Sequence, residues 1–218
     1  MKEKVKMDNK RFSLRPAILI LLAVTLLAYA CTSVEDNTRS ASLLLIDSIE
    51  GEPGGPGEEA GVPLLSDVCD NEADEPQDPE FCTVFNDNAA IGLTNEFLQI
   101  GPGAGVGSPS FLNDVIVTQY RVDYFRPNNR NTPGIDVPFG IDGSMNLRID
   151  INGSSNATIL VVRHVAKREP PLAELAIGTS EGVLTANAQI KIFGRDIAGR
   201  TVSATGFLEI HWANYGED

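Results

Sequence analysis

Residues Val115–Phe125, VIVTQYRVDYF, alternate with a period of two. Ile116, Thr118, Tyr120, Val122 and Tyr124 fall on one side, and Val117, Gln119, Arg121, Asp123 and Phe125 on the other. Side chains of a strand point alternately to opposite faces, whereas a helix repeats its apolar positions every three or four residues, so this stretch predicts a strand. The same period extends outward in both directions. Met145, Leu147, Ile149 and Ile151 alternate with Asn146, Arg148 and Asp150. Thr158–Val165 is rich in β-branched residues and reads as buried on both faces. Leu184–Ile192 and Val202–Trp212 alternate again, and Leu43–Ser48 and Ala89–Phe97 bring the expected strands to seven. No segment carries a long helical period. The expected fold is therefore all-β, an antiparallel sandwich of about seven strands.

Charge suggests a register for two of these strands. Opposed residues of an antiparallel pair keep a constant index sum, and pairing Arg121 with Asp150 also pairs Asp123 with Arg148. Both contacts are then complementary, which favours that register by a few tenths of a kcal/mol per exposed pair.

At the N-terminus, Lys2, Lys4, Lys6, Lys10, Arg11 and Arg15 stand against Glu3 and Asp8, and an apolar run from Ala17 to Ala30 follows. This is the layout of a secretory signal peptide, and 14 apolar residues fall short of the ~20 that a spanning helix needs. The run closes on Leu27-Ala28-Tyr29-Ala30-Cys31, which resembles the lipobox of bacterial lipoproteins, although Tyr29 is bulkier than that pattern usually has. The resemblance implies cleavage after residue 30, a diacylglyceryl group on Cys31, and a protein exported and lipid-anchored to the bacterial cell membrane or outer membrane. Each buried methylene contributes about 0.8 kcal/mol, so more than one acyl chain holds stably where one is marginal. Removing residues 1–30 takes 6 basic and 2 acidic residues from 17 and 30, which leaves 11 and 28 and a net charge of −17. Such a surface repels nucleic acid and anionic headgroups, so the expected membrane partner is reached through the lipid and no nucleic-acid partner is expected.

The expected organisation is a signal peptide over 1–30, the lipidated cysteine and a polar tether over 31–41, and a sandwich over 42–218 with an acidic insert near 66–82. Short apolar pieces between Gly-Pro-rich segments in 42–86 read as one or two edge strands. With Cys31 assigned to lipid, Cys69 and Cys82 form an exported pair, and an oxidising compartment favours a disulfide. Two free thiols and a zinc site are the rival readings. Zinc needs two further ligands, and the two histidines, His164 and His211, are distant in sequence. The loop CDNEADEPQDPEFC fails as a calcium hand because it lacks glycine at the sixth position and has Phe81 at the twelfth. No metal and no cofactor is expected.

The segment IFGRDIAGRTVSATG resembles the final hairpin of immunoglobulin-like and fibronectin type III-like domains, and VTQYRVDYF resembles their central strand. With YRVDYFRPNNRNTPGIDVPFGIDG and VRHVAKREPPLAEL, these pieces are similar to an exported bacterial family built on one such sandwich. That resemblance implies an immunoglobulin-like fold and no chemistry.

Gly178-Thr179-Ser180-Glu181-Gly182 matches G-x-S-x-G, with Asp196 and His211 following in the order of an α/β-hydrolase triad. The nucleophile elbow needs a helix after it, and here the strand VLTANAQIKI follows, so an envelope serine hydrolase using Ser180, Asp196 and His211 is the alternative rather than the expectation. GPGAGVG at 101–107 lacks the Lys-Ser/Thr of a phosphate loop and reads as a connection. His164 ends an apolar strand without a partner acid and reads as structural. Tyr120, Tyr124 and Trp212 lie on apolar faces, where core packing is favoured over a sugar-binding platform. The loop from Arg126 to Gly143 is longer than its connection requires. With Arg126 and Arg130 as a basic spot on an acidic body and Phe139 beside them, it is the candidate surface for an envelope protein or glycan. The expected role is that of a binding or structural module, not an enzyme.

Overall fold

The computed structural model describes residues 40–55, 59–69, 82–98, 108–176 and 182–215. Among these residues eight strands form two sheets: β1 (Ser42–Glu52), β2 (Leu64–Asp67), β3 (Asp87–Phe97), β4 (Val115–Phe125), β5 (Ile141–Ile149), β6 (Gly153–Val162), β7 (Val183–Asp196) and β8 (Thr201–Ala213). Between β6 and β7 lie two single helical turns, α1 (His164–Lys167) and α2 (Ala173–Ala176). One sheet has the order β1-β3-β6, and the other, a curled half-barrel, has the order β2-β8-β7-β4-β5.

The all-β reading is borne out, each of the seven expected strands overlaps an observed one, and the edge strand foreseen within 42–86 is β2, which brings the number among the described residues to eight. Four residues long, β2 runs parallel to β8, while every other pairing is antiparallel. The chain reaches it through Gly51, whose amide and carbonyl bond Gly61 at 3.0 and 2.9 Å. A Cβ on Gly51 would stand 2.5 Å from Leu64 Cβ, so the close approach of β2 requires glycine there.

The core lies between the sheets and is made by the inward alternation of β3, β4, β6, β7 and β8. Trp212 is fully buried and meets Tyr124 edge-on, with ring centroids 5.6 Å apart at 73°. Tyr124 donates its hydroxyl hydrogen to the Val161 carbonyl, and Tyr120 Oη accepts from Leu160 N at 3.3 Å. The aromatics are thus core pieces, and two of them tie the sheets together. Burial pushes the Tyr124 hydroxyl well above the ordinary phenol value, so it stays a donor.

Three details differ from the sequence reading. A bulge between Val117 and Gln119 interrupts the alternation of β4, so Val115 and Val117 point inward before it and Tyr120, Val122 and Tyr124 after it. The extra residue leaves Thr118 and Gln119 both exposed. The bulge sits over Gly194, where a Cβ would come within 2.7 Å of the Ile116 carbonyl. Second, β5 begins at Ile141, and Arg121 faces Asp142 rather than Asp150. The charges still find partners: Arg121 bonds Asp123 at 3.0 Å, and Arg148 bonds Asp114 at 2.6 Å and Asp150 at 3.4 Å. Exposed charge pairs are too weak to override strands that pair as soon as their connecting loop closes. Third, β6 stops at Val162, and His164 opens a helical turn instead of extending the strand.

Candidate functional site

The two ends of the two-sheet body are built differently. At one end lie the start of β1, the β5–β6 turn and the β7–β8 hairpin, and the described chain begins there at Ser40. At the opposite end lie the loop 126–140, the two helical turns and the end of β2.

That opposite end is organised by a buried ion pair. Asp87, which opens β3, is 0% exposed, and Lys167, which closes α1, is 2% exposed. Lys167 Nζ lies 2.9 Å from both carboxylate oxygens. Oδ1 also accepts from Gly54 N at 3.1 Å, and Oδ2 from Ser66 Oγ at 2.6 Å. One carboxylate therefore gathers the segment after β1, strand β2, strand β3 and α1. Burial raises its pKa above the ordinary carboxyl value, against the pull of Lys167, Ser66 and the Gly54 amide. Nothing in the sequence pattern marks this pair, because its members are 80 residues apart and each sits beside other polar residues.

Beside the pair is a cleft of about 330 Å³ lined by Val68, Cys82, Val84, Arg168 and the two alanines that bound α2, Ala173 and Ala176. Cys82 is bonded to Cys69, with Cα atoms 5.0 Å apart, as the sequence predicts. Residues 70–81 of the acidic insert lie outside the described residues. Apolar walls around an exposed guanidinium suit a small apolar group that carries an acidic or carbonyl function.

The loop after β4 is folded upon itself. Asp136 accepts from Arg130 Nε at 3.0 Å and from Thr132 N at 3.2 Å. Burial alone would raise this carboxyl, but the Thr132 and Arg130 donors outweigh it and hold it below the ordinary range. Arg126 N donates to Asn131 Oδ1 at 2.6 Å, Gly134 N donates to the Val137 carbonyl at 2.7 Å, and Val137 plugs the core. Gly134 has φ +75°, and the Phe139 ring lies where its Cβ would stand. Arg130 thus helps to build the loop, whereas Ile135, 68% exposed, and Phe139 present apolar surface outward.

Of the hydrolase residues, the two that are described, Asp196 and His211, do not converge. Asp196 is buried at the β7–β8 hairpin, where it accepts from Arg200 N at 2.7 Å and from Ser40 Oγ at 2.6 Å. His211 pairs with Glu209 at 2.8 Å. Thr201 opposes Arg195 and His211 opposes Thr185, so ten residues of β8, about 33 Å at the strand rise, separate His211 from the hairpin. Ser180 and Cys31 lie outside the described residues, and β7 opens at Val183 just past the G-x-S-x-G stretch. His164 Nδ1 lies 3.0 Å from Asn86 Oδ1, with no acid partner among the described residues.

No protein-family model matches the chain, and no curated protein is similar to it. Among solved structures, the X-ray structure of Northeast Structural Genomics Consortium target SoR45 is similar over 82% of this chain and 90% of its own, with 9% identity and a TM-score of 0.37.

Proposed function

We propose that the chain is a lipid-anchored cell-envelope protein whose single immunoglobulin-like sandwich serves as a binding or structural module, held by Cys31 and working through the end away from Ser40. The observation that carries this reading is the separation of the two ends. Ser40 and Ser42, the first described residues, are pinned to Asp196 and to the Asn113 carbonyl at one end, while the cleft and the pre-folded loop 126–140 occupy the other. Loops on a rigid scaffold, displayed away from the attachment point, suit contact with an envelope protein or glycan.

The immunoglobulin-like assignment is supported by strand order. In such sandwiches the first, second and fifth strands share one sheet, and the third, sixth and seventh share the other, extended by an additional strand beside the third. With β2 taken as a short split from the first strand, β1-β3-β6 and β8-β7-β4-β5 follow that arrangement. The disulfide and tryptophan stand elsewhere than in antibody domains, since Cys69–Cys82 joins the end of β2 to the approach to β3 and Trp212 is on the last strand.

Crosslinking in the native organism, with identification of the captured partner, tests the assignment. The double substitution Arg126→Ala with Ile135→Ser, at a half-buried and an exposed position, is expected to leave the melting temperature within about 2 °C, since no side-chain bond of either residue to the described residues braces the loop, and to cut capture several-fold. Arg130→Ala is excluded from this test because it also releases Asp136. Undiminished capture by the double variant places the binding surface elsewhere.

A further inference from the structure

We infer that Phe111, Leu112 and Ile197 form an apolar tip that inserts into the lipid interface at the end of the sandwich where the tether arrives; this rests on the reading of Cys31 as lipidated. The three side chains are 67%, 45% and 38% exposed. Phe111 and Leu112 belong to a single 3-10 turn, Phe111–Asn113, ahead of β4, and Ile197 belongs to the β7–β8 hairpin. Backbone bonds stitch the two turns together, Ile197 N to the Asp114 carbonyl at 3.0 Å and Ala198 N to the Leu112 carbonyl at 3.2 Å. The Asn113 side chain also accepts from Ser110 N at 3.1 Å. The tip is therefore pre-shaped, and little conformational freedom is lost when it inserts.

The occupant follows from where the chain arrives. Ser40 bonds Asp196, the residue before Ile197, and Ser42 Oγ donates to the carbonyl of Asn113, the residue after Leu112. Nine chain steps separate Cys31 from Ser40, a reach of at most about 30 Å. A lipid at Cys31 therefore keeps the bilayer surface within range of this end. Three apolar side chains give only weak, reversible attraction on their own, but the tether makes the contact intramolecular, and an effective concentration near millimolar is enough to populate it. Charge opposes it less here than on the rest of the body. Arg148, Arg195 and Arg200 stand at this end against Asp114, Asp196, Asp150 and Glu96, groups that sum to only −1 on a body that is otherwise strongly acidic. Insertion turns the cleft and the loop 126–140 toward solvent.

The test places an environment-sensitive fluorophore on Phe111→Cys in the full-length protein purified from membranes, reconstituted into phosphatidylethanolamine–phosphatidylglycerol vesicles. With Cys31 acylated and Cys69 bonded to Cys82, residue 111 carries the free thiol. The same dye on Ile135→Cys controls for the dye's own affinity for lipid. The expected result is a blue-shifted emission at 111, quenched by nitroxide lipids, with a water-like emission at 135. Water-like emission at both positions in protein whose acylation is verified by mass overturns the inference and leaves the anchoring reading standing. Absence of the acyl mass on Cys31 overturns both.

Discussion

Asp87→Asn is expected to destabilise the fold by about 3–5 kcal/mol, because it leaves the Lys167 ammonium buried without its counter-charge. The isostere preserves volume and can still accept from Gly54 N and bond Ser66, so the loss reports the charge and not a cavity. Lys167→Met breaks the same pair from the other side but behaves differently with pH. Burial already holds the Asp87 pKa above its unfolded value, and removing the neighbouring cation raises it further. A carboxyl raised in the folded state contributes stability that is fully present below its unfolded pKa and is lost as pH rises through the folded value. Relative to wild type, Lys167→Met therefore recovers stability as the solution is acidified, since a proton neutralises Asp87, whereas Asp87→Asn does not. Combining Asp87→Asn with Lys167→Met removes both charges, and the double variant is expected to be more stable than Asp87→Asn alone, since a neutral replacement of a buried pair is often tolerated. Urea unfolding of the three variants at pH 5 and pH 7 checks all of this. Strict additivity of the two single losses would show that the pair does not act as a unit.

Replacing both cysteines, Cys69→Ser with Cys82→Ser, is expected to cost about 3 kcal/mol, the loop-closure entropy that a bridge over 14 residues removes from the unfolded chain. The bridge joins the residue two beyond β2 to the approach to β3, the same two strands that Asp87 gathers through Ser66. Strand β2 has four residues and one strand neighbour, so it is the element with least to hold it when the covalent tie is gone. Hydrogen exchange on Leu64–Asp67 should accelerate ahead of β7 and β8 in that variant. A loss below about 0.5 kcal/mol, the scale of ordinary surface substitutions, would contradict the entropic role.

Legibility in the sequence follows from how local the cause of each feature is. Strand β7 reads directly because Leu184, Ala186, Ala188, Ile190 and Ile192 alternate without a break and all face the core. Strand β4 reads correctly from Tyr120 onward but misplaces Ile116 and Thr118, because its bulge is accommodated by Gly194 on a neighbour more than seventy residues away. The β4–β5 register is missed for a related reason. A charge pattern worth tenths of a kcal/mol suggests Arg121–Asp150, while continuous backbone pairing from Val122–Ile141 onward sets Arg121 against Asp142. The disulfide is legible because the chain has three cysteines, and reading Cys31 as the lipid site leaves Cys69 and Cys82 to each other. The Asp87–Lys167 pair is not, because only the packing of four segments brings the carboxylate and the ammonium together. The loop after β4 is half legible: its length and its arginines mark it, but the division of labour between Arg130, which braces Asp136, and Arg126, which does not, depends on the fold.

Metabolic labelling with a fatty-acid analogue, carried out on the wild type and on Cys31→Ser in the native organism, tests the central claim most directly. The account predicts label on the wild-type protein in the membrane fraction, and for Cys31→Ser no label and loss from that fraction. Label retained by Cys31→Ser, or a wild-type protein that stays unlabelled, would contradict an envelope module held by lipid at Cys31.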